Sequence, residues 1–428
     1  MLDIKLIRQD PQGVEAKLKR RDPTISLSEI VALDETLRKK MVQSQELSAQ
    51  RNALAKTIGE EKRAGNETTA LQEEASRHIE EANTLENEVK ELQHSLEQAL
   101  SRLPNIPLDS VKVSEDPKDN VVLKEWREKP TFDFPFRNHL ELNELHHLFD
   151  FERGAKISGS GWPVYRGMGA QLEWALLTHM MQEHVRHGFT PHLVPAVIRE
   201  DVLYQSGQLP KFENQQYGFT ERENRYFLIP TSEVPLNGLH ADEILEADQL
   251  PLKYTAYSQC FRKEAGAAGE KERGLIRMHQ FNKVEMFIFC TPAQSSSMFD
   301  LMICHGEHLL QSLGLHYRVV SLVTGDMSFA GIRTVDLEVW LPGQNRYYEV
   351  SSITECGNFQ SLRSGTRFRK DREKPQHVHT LNGSGLATSR LMVGLLENNQ
   401  REDGSIVIPE VLRGYLGGAA VLEPKIHP

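Results

Sequence analysis

Two heptad patterns in the first hundred residues constrain the fold of this chain more than any other feature of its sequence. The first runs over 33–58 in alternating steps of four and three, with three polar members, and the second runs over 85–103. Ala-Gly-Asn-Glu at 64–67 lies between them and is typical of a turn. The patterns predict two helices over about 28–103, paired as an antiparallel coiled-coil hairpin about 50 Å long. A hairpin of that kind is too thin to contain an active site.

The charge of this segment is divided between its halves. Residues 1–63 carry 13 Lys and Arg against 10 Asp and Glu, a net +3, whereas residues 64–103 carry 3 against 9, a net −6. One interpretation is a solvated face or an ordinary dimerising coiled coil. The other is a lever whose basic helix binds a phosphate backbone away from a catalytic body. The segment alone does not decide between them.

The remaining chain has a different texture. Five prolines among charged residues in 104–135 predict a linker, which divides the chain into an N-terminal domain (1–105), a linker (106–135) and a catalytic domain (136–428). A helix is expected from 169 to about 187. Strand-like runs follow without the regular helical crossovers that a parallel sheet needs, at 251–262, 276–290, 316–323, 334–341 and 346–353. We therefore predict an α+β fold, an antiparallel sheet flanked by helices.

Composition and missing motifs exclude several classes of protein. No stretch of about 18 apolar residues exists, so no membrane-spanning helix is expected. The first residues carry acids and no apolar core, which is atypical of a secretory signal. Four cysteines without a C-x-x-C pair indicate a reduced, cytoplasmic protein, and a net charge of −10 argues against bulk nucleic-acid binding. There is no P-loop, and Gly383-Ser-Gly385 lacks the third glycine of a dinucleotide fingerprint.

The residues from 275 to 290 carry an unusual alternation. In a strand, one face would present Arg277, His279, Phe281, Lys283 and Glu285. Phe281 and Glu285 would lie about 13 Å apart, which suits a ring stacked on a base and a carboxylate about one nucleoside away. The alternative is a plain amphipathic strand with a few surface charges.

Two further fragments are weak when each is taken alone. Arg262 and Glu264 share a face of the preceding strand, where an arginine fork suits a phosphate but a surface ion pair is an equal explanation. A polar loop over 265–274 follows it. Residues 382–390 (Asn-Gly-Ser-Gly-Leu-Ala-Thr-Ser-Arg) are typical of a small-residue turn that opens a helix and lets a ligand approach the backbone.

Together these fragments resemble the conserved motifs of the class II aminoacyl-tRNA synthetases. Phe261-Arg262-x-Glu264 with its loop and returning strand is similar to motif 2, and 382–390 is similar to motif 3, although Ser389 stands where the generic motif has Glu. The helix that ends at Gly188-Phe189 before Pro195 resembles motif 1. Thr231-Ser232-Glu233 resembles the amino-acid-binding loop of the serine, threonine, proline and glycine subgroup.

Three features select the bacterial-type seryl-tRNA synthetase family within that subgroup. The N-terminal hairpin is a hallmark of that family. Only 38 residues follow Arg390, too few for the anticodon-binding domain of the threonyl and prolyl relatives. The zinc-ligand pattern of threonyl enzymes has no counterpart, since His377-x-His379 and Cys304-His305-x-x-His308 are scattered pairs. No structural zinc is therefore expected.

The resemblance implies an activity and a set of residues. The activity is formation of seryl-adenylate from L-serine and ATP, then transfer of serine to serine tRNA, with selenocysteine tRNA left open. Arg262 and Arg390 would be catalytic. ATP would contact Arg262, Lys263, Glu264, Arg277, Phe281, Glu349, Val350, Ser351, Ser352 and Arg390. Mg²⁺ would bind with ATP at Glu349 and Ser352.

The resemblance also implies a serine site and partners. Serine would contact Thr231, Ser232, Glu233, Glu285 and Ser384. Motif 1 would form a homodimer, no membrane partner is expected, and the hairpin would hold the long variable arm of serine tRNA. Candidate tRNA contacts are Arg38, Lys39, Arg51, Lys56 and Lys62.

Two rival functions stay open at this point. One is a regulatory paralogue that kept the fold and lost catalysis, which the presence of Arg262, Glu264, Glu285 and Arg390 disfavours. The other is a ligase that activates an amino acid for a carrier other than tRNA, which the full N-terminal hairpin disfavours.

Overall fold

A computed structural model describes residues 1–264 and 274–425. The chain divides into two compact units, one formed by 2–19 and 23–103, the other by Met1, 20–22 and the chain from Pro104 onward. Apart from Gly274, the loop expected over 265–274 lies outside the described residues.

The first unit contains the predicted helical hairpin. Its helices are α1 (Ile4–Gln9), α2 (Pro11–Lys19), α3 (Ser28–Arg63) and α4 (Thr69–Ser101). All eight positions of the first heptad run and all six of the second are buried or half-buried, whereas most of their neighbours are exposed. Lys40 on α3 forms an ion pair with Glu88 on α4, with 2.8 Å between Nζ and Oε2. Both residues lie about equally far from the turn, so the helices are antiparallel and the hairpin prediction is confirmed.

The second unit is built on an eight-stranded sheet. Its strands in chain order are β1 (Val121–Trp126), β2 (Thr190–His192), β3 (Leu252–Phe261), β4 (Gln280–Cys290), β5 (Tyr317–Ser321), β6 (Arg333–Leu341), β7 (Arg346–Gly357) and β8 (His379–Ala387). Their order across the sheet is β1-β5-β6-β7-β8-β4-β3-β2. Neighbours pair antiparallel except β2 and β3, which are parallel. The predicted α+β class with an antiparallel sheet is confirmed.

Helices and short strands surround this sheet. The helices are α5 (His139–His146), α6 (Phe151–Ser158), α7 (Met168–Arg186), α8 (Glu200–Gln205), α9 (Glu233–Gly238), α10 (Ser295–Ser312), α11 (Ser361–Ser364), α12 (Thr388–Asn398) and α13 (Glu410–Arg413). The smaller sheets join Phe149–Asp150 to Val164–Tyr165, Val197–Arg199 to Asn224–Leu228 and Gly218–Glu221, Ile244–Glu246 to Arg367–Arg369 and Gln376–His377, and Ile406–Val407 to Val421–Leu422.

One face of the sheet packs on helices α7 and α10, and a cavity opens on part of the other face. Val284 and Met286 of β4 are fully buried in the core with Leu176 of α7 and Leu309 of α10. Burying side chains of this size is worth about 1.5–3 kcal/mol each. The alternate residues of β4 therefore point away from this core, as the two-residue period requires.

Two segments differ from the sequence-based expectation. Val121–Trp126, inside the expected linker, is strand β1 and pairs with β5. Prolines lie on either side of this short run and not within it, so they do not interrupt its hydrogen bonds. The proline content of 104–135 as a whole therefore predicted a linker, although strand β1 lies within it.

The expected small-residue turn after Asn382 is a strand instead. Residues 382–387 belong to β8, and α12 begins directly at Thr388. A bulge opposite Lys283 and Glu285 interrupts the pairing of β8 with β4. Glycine is required here for packing, because a Cβ on Gly385 would lie 1.9 Å from the His184 ring.

Candidate active site

A cavity of about 270 Å³ opens on the face of the sheet opposite helices α7 and α10. It brings together eleven of the predicted site residues, which are Thr231, Glu233, Arg262, Glu264, Arg277, Phe281, Glu285, Glu349, Ser352, Ser384 and Arg390. These residues come from β4, β7, β8 and the start of α12, from α9 and the turn before it, and from the segments just after β3 and just before β4. Segments up to 159 residues apart in sequence therefore meet at one cavity.

Strand β4 supplies the floor of the cavity. Phe281, Lys283 and Glu285 all line it, in agreement with the alternation in the sequence. Lys283 and Glu285 form an ion pair, and their side chains are only 8% and 1% exposed. This face is therefore a buried, charged surface and not the plain solvent face of an amphipathic strand.

The cavity contains a second carboxylate with a different environment. Glu233, at the start of α9, accepts hydrogen bonds on Oε1 from Gln360 Nε2 (2.7 Å) and Asn382 Nδ2 (3.2 Å). Among the described residues, no cation lies within salt-bridge distance of Glu233. Burial, and secondly the negative charge of Glu285, raises the pKa of Glu233 to about 7. The site therefore contains one carboxylate paired with lysine and one held by neutral amides.

A hydroxyl group connects the Glu285 carboxylate to the backbone of Glu233. Thr231 Oγ1 donates to Glu285 Oε2 at 3.2 Å and accepts from the backbone N–H of Glu233 at 3.2 Å. This short turn before α9 fixes the side chains of Thr231 and Glu233 relative to β4.

Three arginines line the cavity. The Arg262 guanidinium lies 5.2 Å from the centre of the Phe281 ring. Glu264 does not pair with Arg262 but with Arg277, at 2.7 Å between Oε2 and Nη1. Arg390 Nη1 donates to the backbone oxygen (2.9 Å) and to Oε2 (3.1 Å) of Glu349. Planar cations on an aromatic ring and beside a carboxylate form a surface suited to a phosphorylated, aromatic ligand.

Four predicted site residues do not line the cavity. Ser232 is fully buried and donates to Ser258 Oγ at 2.6 Å. Lys263 is exposed, and its Nζ lies 5.8 Å from the Tyr217 ring. Val350 belongs to the core, and Ser351 Oγ donates to the backbone oxygen of Ser384 at 2.6 Å.

Several lining residues were absent from the predicted set. Lys283 follows the same alternation as Phe281 and Glu285, and Asn382 lies two residues before Ser384 on β8, so strand periodicity could have identified both. Gln208 and Ser328 also line the cavity. They come from loops that carry no local pattern in the sequence.

A buried carboxyl lies behind the Glu349 side of the cavity. Asp336 on β6 faces Ser352 across the β6–β7 pairing, and its Oδ1 has no hydrogen-bond partner. Burial, and secondly the charge of Glu349, raises the pKa of Asp336 well above its usual range. Asp336 therefore favours its neutral, protonated form beside Glu349.

Two kinds of feature are absent from the part of the chain that the structure describes. No cluster of three or more His, Cys, Asp or Glu side chains there has the arrangement of a metal site. No described helix is both long enough and apolar enough to cross a membrane.

Family models match both halves of the chain. The class II core domain model of tRNA synthetases (G, H, P, S and T) matches residues 213–399, and the seryl-tRNA synthetase N-terminal domain model matches residues 1–107. The N-terminal match covers the helical hairpin, and the core match covers most of the residues that line the cavity.

Relatives and solved structures agree with these matches. A serine–tRNA ligase of Chlamydia pneumoniae is 49% identical over 99% of this chain and 100% of its own length. Seryl-tRNA synthetase from Pyrococcus horikoshii, solved with ATP, superposes with a TM-score of 0.92 at 37% identity over 100% of both chains. The cytoplasmic serine–tRNA ligase of Naegleria fowleri, solved with AMP, gives 0.87 at 27% identity over 100% of this chain and 99% of its own. With nearly half of its residues shared with a relative over almost its whole length, the chain belongs to the seryl-tRNA synthetase family.

Proposed function

We propose that this chain activates L-serine with ATP and transfers the seryl group to serine tRNA. The observation that carries the proposal is the cavity itself, where three arginines, an aromatic ring and two buried carboxylates from distant segments meet. The family membership and the ATP and AMP complexes of its structural relatives support it.

Serine activation requires positioning and charge neutralisation more than a protein nucleophile. One oxygen of the serine carboxylate attacks the α-phosphorus of ATP, and the bond to the bridging oxygen of pyrophosphate breaks. Arg262 would hold the α-phosphate and Arg390 the γ-phosphate end. Removing a preorganised cation of this kind costs about 10²–10³ in rate. The adenylate then loses AMP when the 3′-hydroxyl of the tRNA takes the seryl group.

The adenosine end of ATP fits the β4 side of the cavity. Phe281 would stack on the base, and the Arg262 guanidinium already lies over the same ring. Glu264 would accept from the adenine edge, while Arg277, its present partner, would turn toward the phosphates. Lys263, Val350 and Ser351 would act through their backbone or at the rim, since their side chains do not line the cavity.

Glu349 and Ser352 fit a divalent cation that accompanies ATP. Both offer oxygen ligands of the kind that Mg²⁺ prefers, and the Asp336 carboxyl lies behind them. When bound there, Mg²⁺ would neutralise the charge that develops on pyrophosphate.

The two carboxylates divide the recognition of serine between them. Lys283 neutralises Glu285, which leaves this carboxylate as a hydrogen-bond acceptor for the serine hydroxyl. Glu233 has only neutral partners among the described residues, so it suits the serine ammonium group. Thr231 and Ser384 complete the pocket. A pocket built to bind a hydroxyl rejects alanine, because its own polar groups would be left unpaired.

The helical hairpin would bind the long variable arm of serine tRNA. Lys39 and Lys62 are exposed on α3. Arg38 is bound to Asp34 at 3.0 Å, Lys56 lies 3.9 Å from Glu60, and Arg51 is half-buried in the heptad seam. Lys39 and Lys62 are therefore the stronger candidates among the five.

A homodimer through motif 1 is part of the proposal. Trp174 on α7 is 67% exposed and Leu193 just after β2 is 89% exposed. Large apolar side chains exposed at this level are typical of a contact surface. A cytoplasmic location stays a prediction from the cysteine usage.

ATP–pyrophosphate exchange without tRNA tests the activation step. We expect exchange with serine and none with alanine, glycine or proline, and Arg262→Ala should lower it about 10²–10³-fold. Exchange with threonine measures how closely the pocket excludes one methyl group. Exchange with another amino acid but not serine would move the chain to a sister specificity, and no exchange in a folded, ATP-binding protein would favour the regulatory paralogue.

A further inference from the structure

Gln360 lies behind the serine pocket, immediately before α11, and its side chain is fully buried. Its Nε2 donates to Glu233 Oε1 at 2.7 Å and to the backbone oxygen of Ser206 at 3.0 Å. Its Oε1 accepts from Thr380 Oγ1 at 2.6 Å. Carboxylate and carbonyl oxygens can only accept here, so the amide nitrogen must face them, and the threonine hydroxyl then donates to the amide oxygen.

Through Gln360, these contacts connect the Glu233 carboxylate to two other segments. Ser206 follows α8, Thr380 belongs to β8, and Glu233 begins α9. Both donors recorded for Glu233 among the described residues, Gln360 and Asn382, bind Oε1. Oε2 is therefore the oxygen left for a ligand in the cavity.

The charged groups around Glu233 explain why a neutral hydrogen-bond donor affects the pKa of this carboxylate. Glu285 and Lys283 on β4, Arg262 at the end of β3 and Cys356 on β7 are the titratable groups that interact with it. Burial and the charge of Glu285 raise the pKa of Glu233, whereas Lys283, the Gln360 hydrogen bond and Arg262 oppose that rise. Loss of the Gln360 donor would remove one stabilising contact of the ionised form.

We propose that Gln360 is a positioning residue for serine binding, which fixes the Glu233 carboxylate so that Oε2 receives the serine ammonium group. This inference rests on the proposed role of Glu233. Gln360 touches neither serine nor ATP in this arrangement, and it acts only through Glu233.

The test replaces Gln360 with methionine, which keeps the length of the side chain and removes both polar atoms. Gln400→Met is the matched control, because Gln400 is also buried and makes three hydrogen bonds, to the backbone of Arg137 and Glu397. The KM for serine, the KM for ATP and kcat are measured by ATP–pyrophosphate exchange between about pH 6 and about pH 9, a range that brackets the pKa of Glu233.

In the wild type, the KM for serine should rise as the pH falls through about 7, because Glu233 becomes protonated and loses its attraction for the ammonium group. Gln360→Met should raise this KM about tenfold at neutral pH, with the KM for ATP and kcat within about twofold of wild type. As the pH falls, the KM for serine of Gln360→Met should begin to rise at a higher pH than in the wild type. At alkaline pH it should return partly toward the wild-type value. Gln400→Met should keep the wild-type profile.

An unchanged KM profile in Gln360→Met, or an equal rise at every pH, would overturn the inference. Glu233→Gln distinguishes a failure of the proposed role of Glu233 from a failure of the role of Gln360. If it leaves the KM for serine unchanged, the proposed role of Glu233 fails. If it raises the KM while Gln360→Met does not, only the role of Gln360 fails. Should Gln360→Met not fold, Thr380→Val against Thr380→Ser tests the same network, and a shifted profile is expected in the valine variant alone.

Discussion

The helical hairpin and the central sheet each contain a lysine–glutamate ion pair, and the two pairs differ in almost every consequence. Lys40 and Glu88 join the helices of the hairpin, with side chains 36% and 43% exposed. Lys283 and Glu285 lie side by side on β4, with side chains 8% and 1% exposed. Water screens the first pair and is largely excluded from the second. The same two residue types therefore serve as a minor surface contact in one place and as part of a binding site in the other.

The largest effect is expected from breaking the buried pair. Lys283→Met leaves the Glu285 carboxylate buried without its cation, and the free energy of unfolding should fall by about 3–5 kcal/mol. Urea unfolding followed by circular dichroism measures this change.

The double variant Lys283→Met with Glu285→Gln separates charge from packing. Because it removes both charges, it should recover most of the lost stability, yet serine activation should be weaker than in the wild type since a neutral amide oxygen replaces the charged acceptor of the serine hydroxyl. Equal stability of the single and double variants would mean that the pair is not electrostatically coupled.

The hairpin and the site on the sheet also differ in how much of each could be predicted from the sequence. The hairpin depends on contacts within a local repeat, so the steps of four and three were enough to predict both helices and their turn. The alternation of Phe281, Lys283 and Glu285 likewise predicted one shared face of β4. The partners of these residues come from other segments, and no local pattern indicates that Gln360 contacts Glu233. The pairing of Glu264 with Arg277 instead of Arg262 is likewise not indicated by any local pattern.

An intermediate effect is expected from the basic face of the hairpin. Lys39→Glu combined with Lys62→Glu should raise the KM for serine tRNA about tenfold and reduce its salt dependence, because contacts to phosphate are lost. ATP–pyrophosphate exchange should not change, since both residues lie in the unit that lacks the cavity. Lys118→Glu combined with Lys374→Glu, two exposed lysines of the other unit, is the control for net charge. An unchanged KM for tRNA would favour the solvated-face interpretation of the hairpin.

The smallest effect is expected from the exposed pair. Lys40→Met removes the charge and keeps the apolar stem at a heptad position, so the hairpin should change in stability by less than about 1 kcal/mol. Hydrogen exchange of the α3 and α4 amides in the full chain measures local opening, and Lys39→Met, just outside the seam, is the matched control. Added salt should narrow any difference between wild type and Lys40→Met, because it screens only the intact pair. A stability loss of about 2 kcal/mol or more in Lys40→Met would contradict this prediction, because a solvent-exposed ion pair would then contribute nearly as much as a buried one.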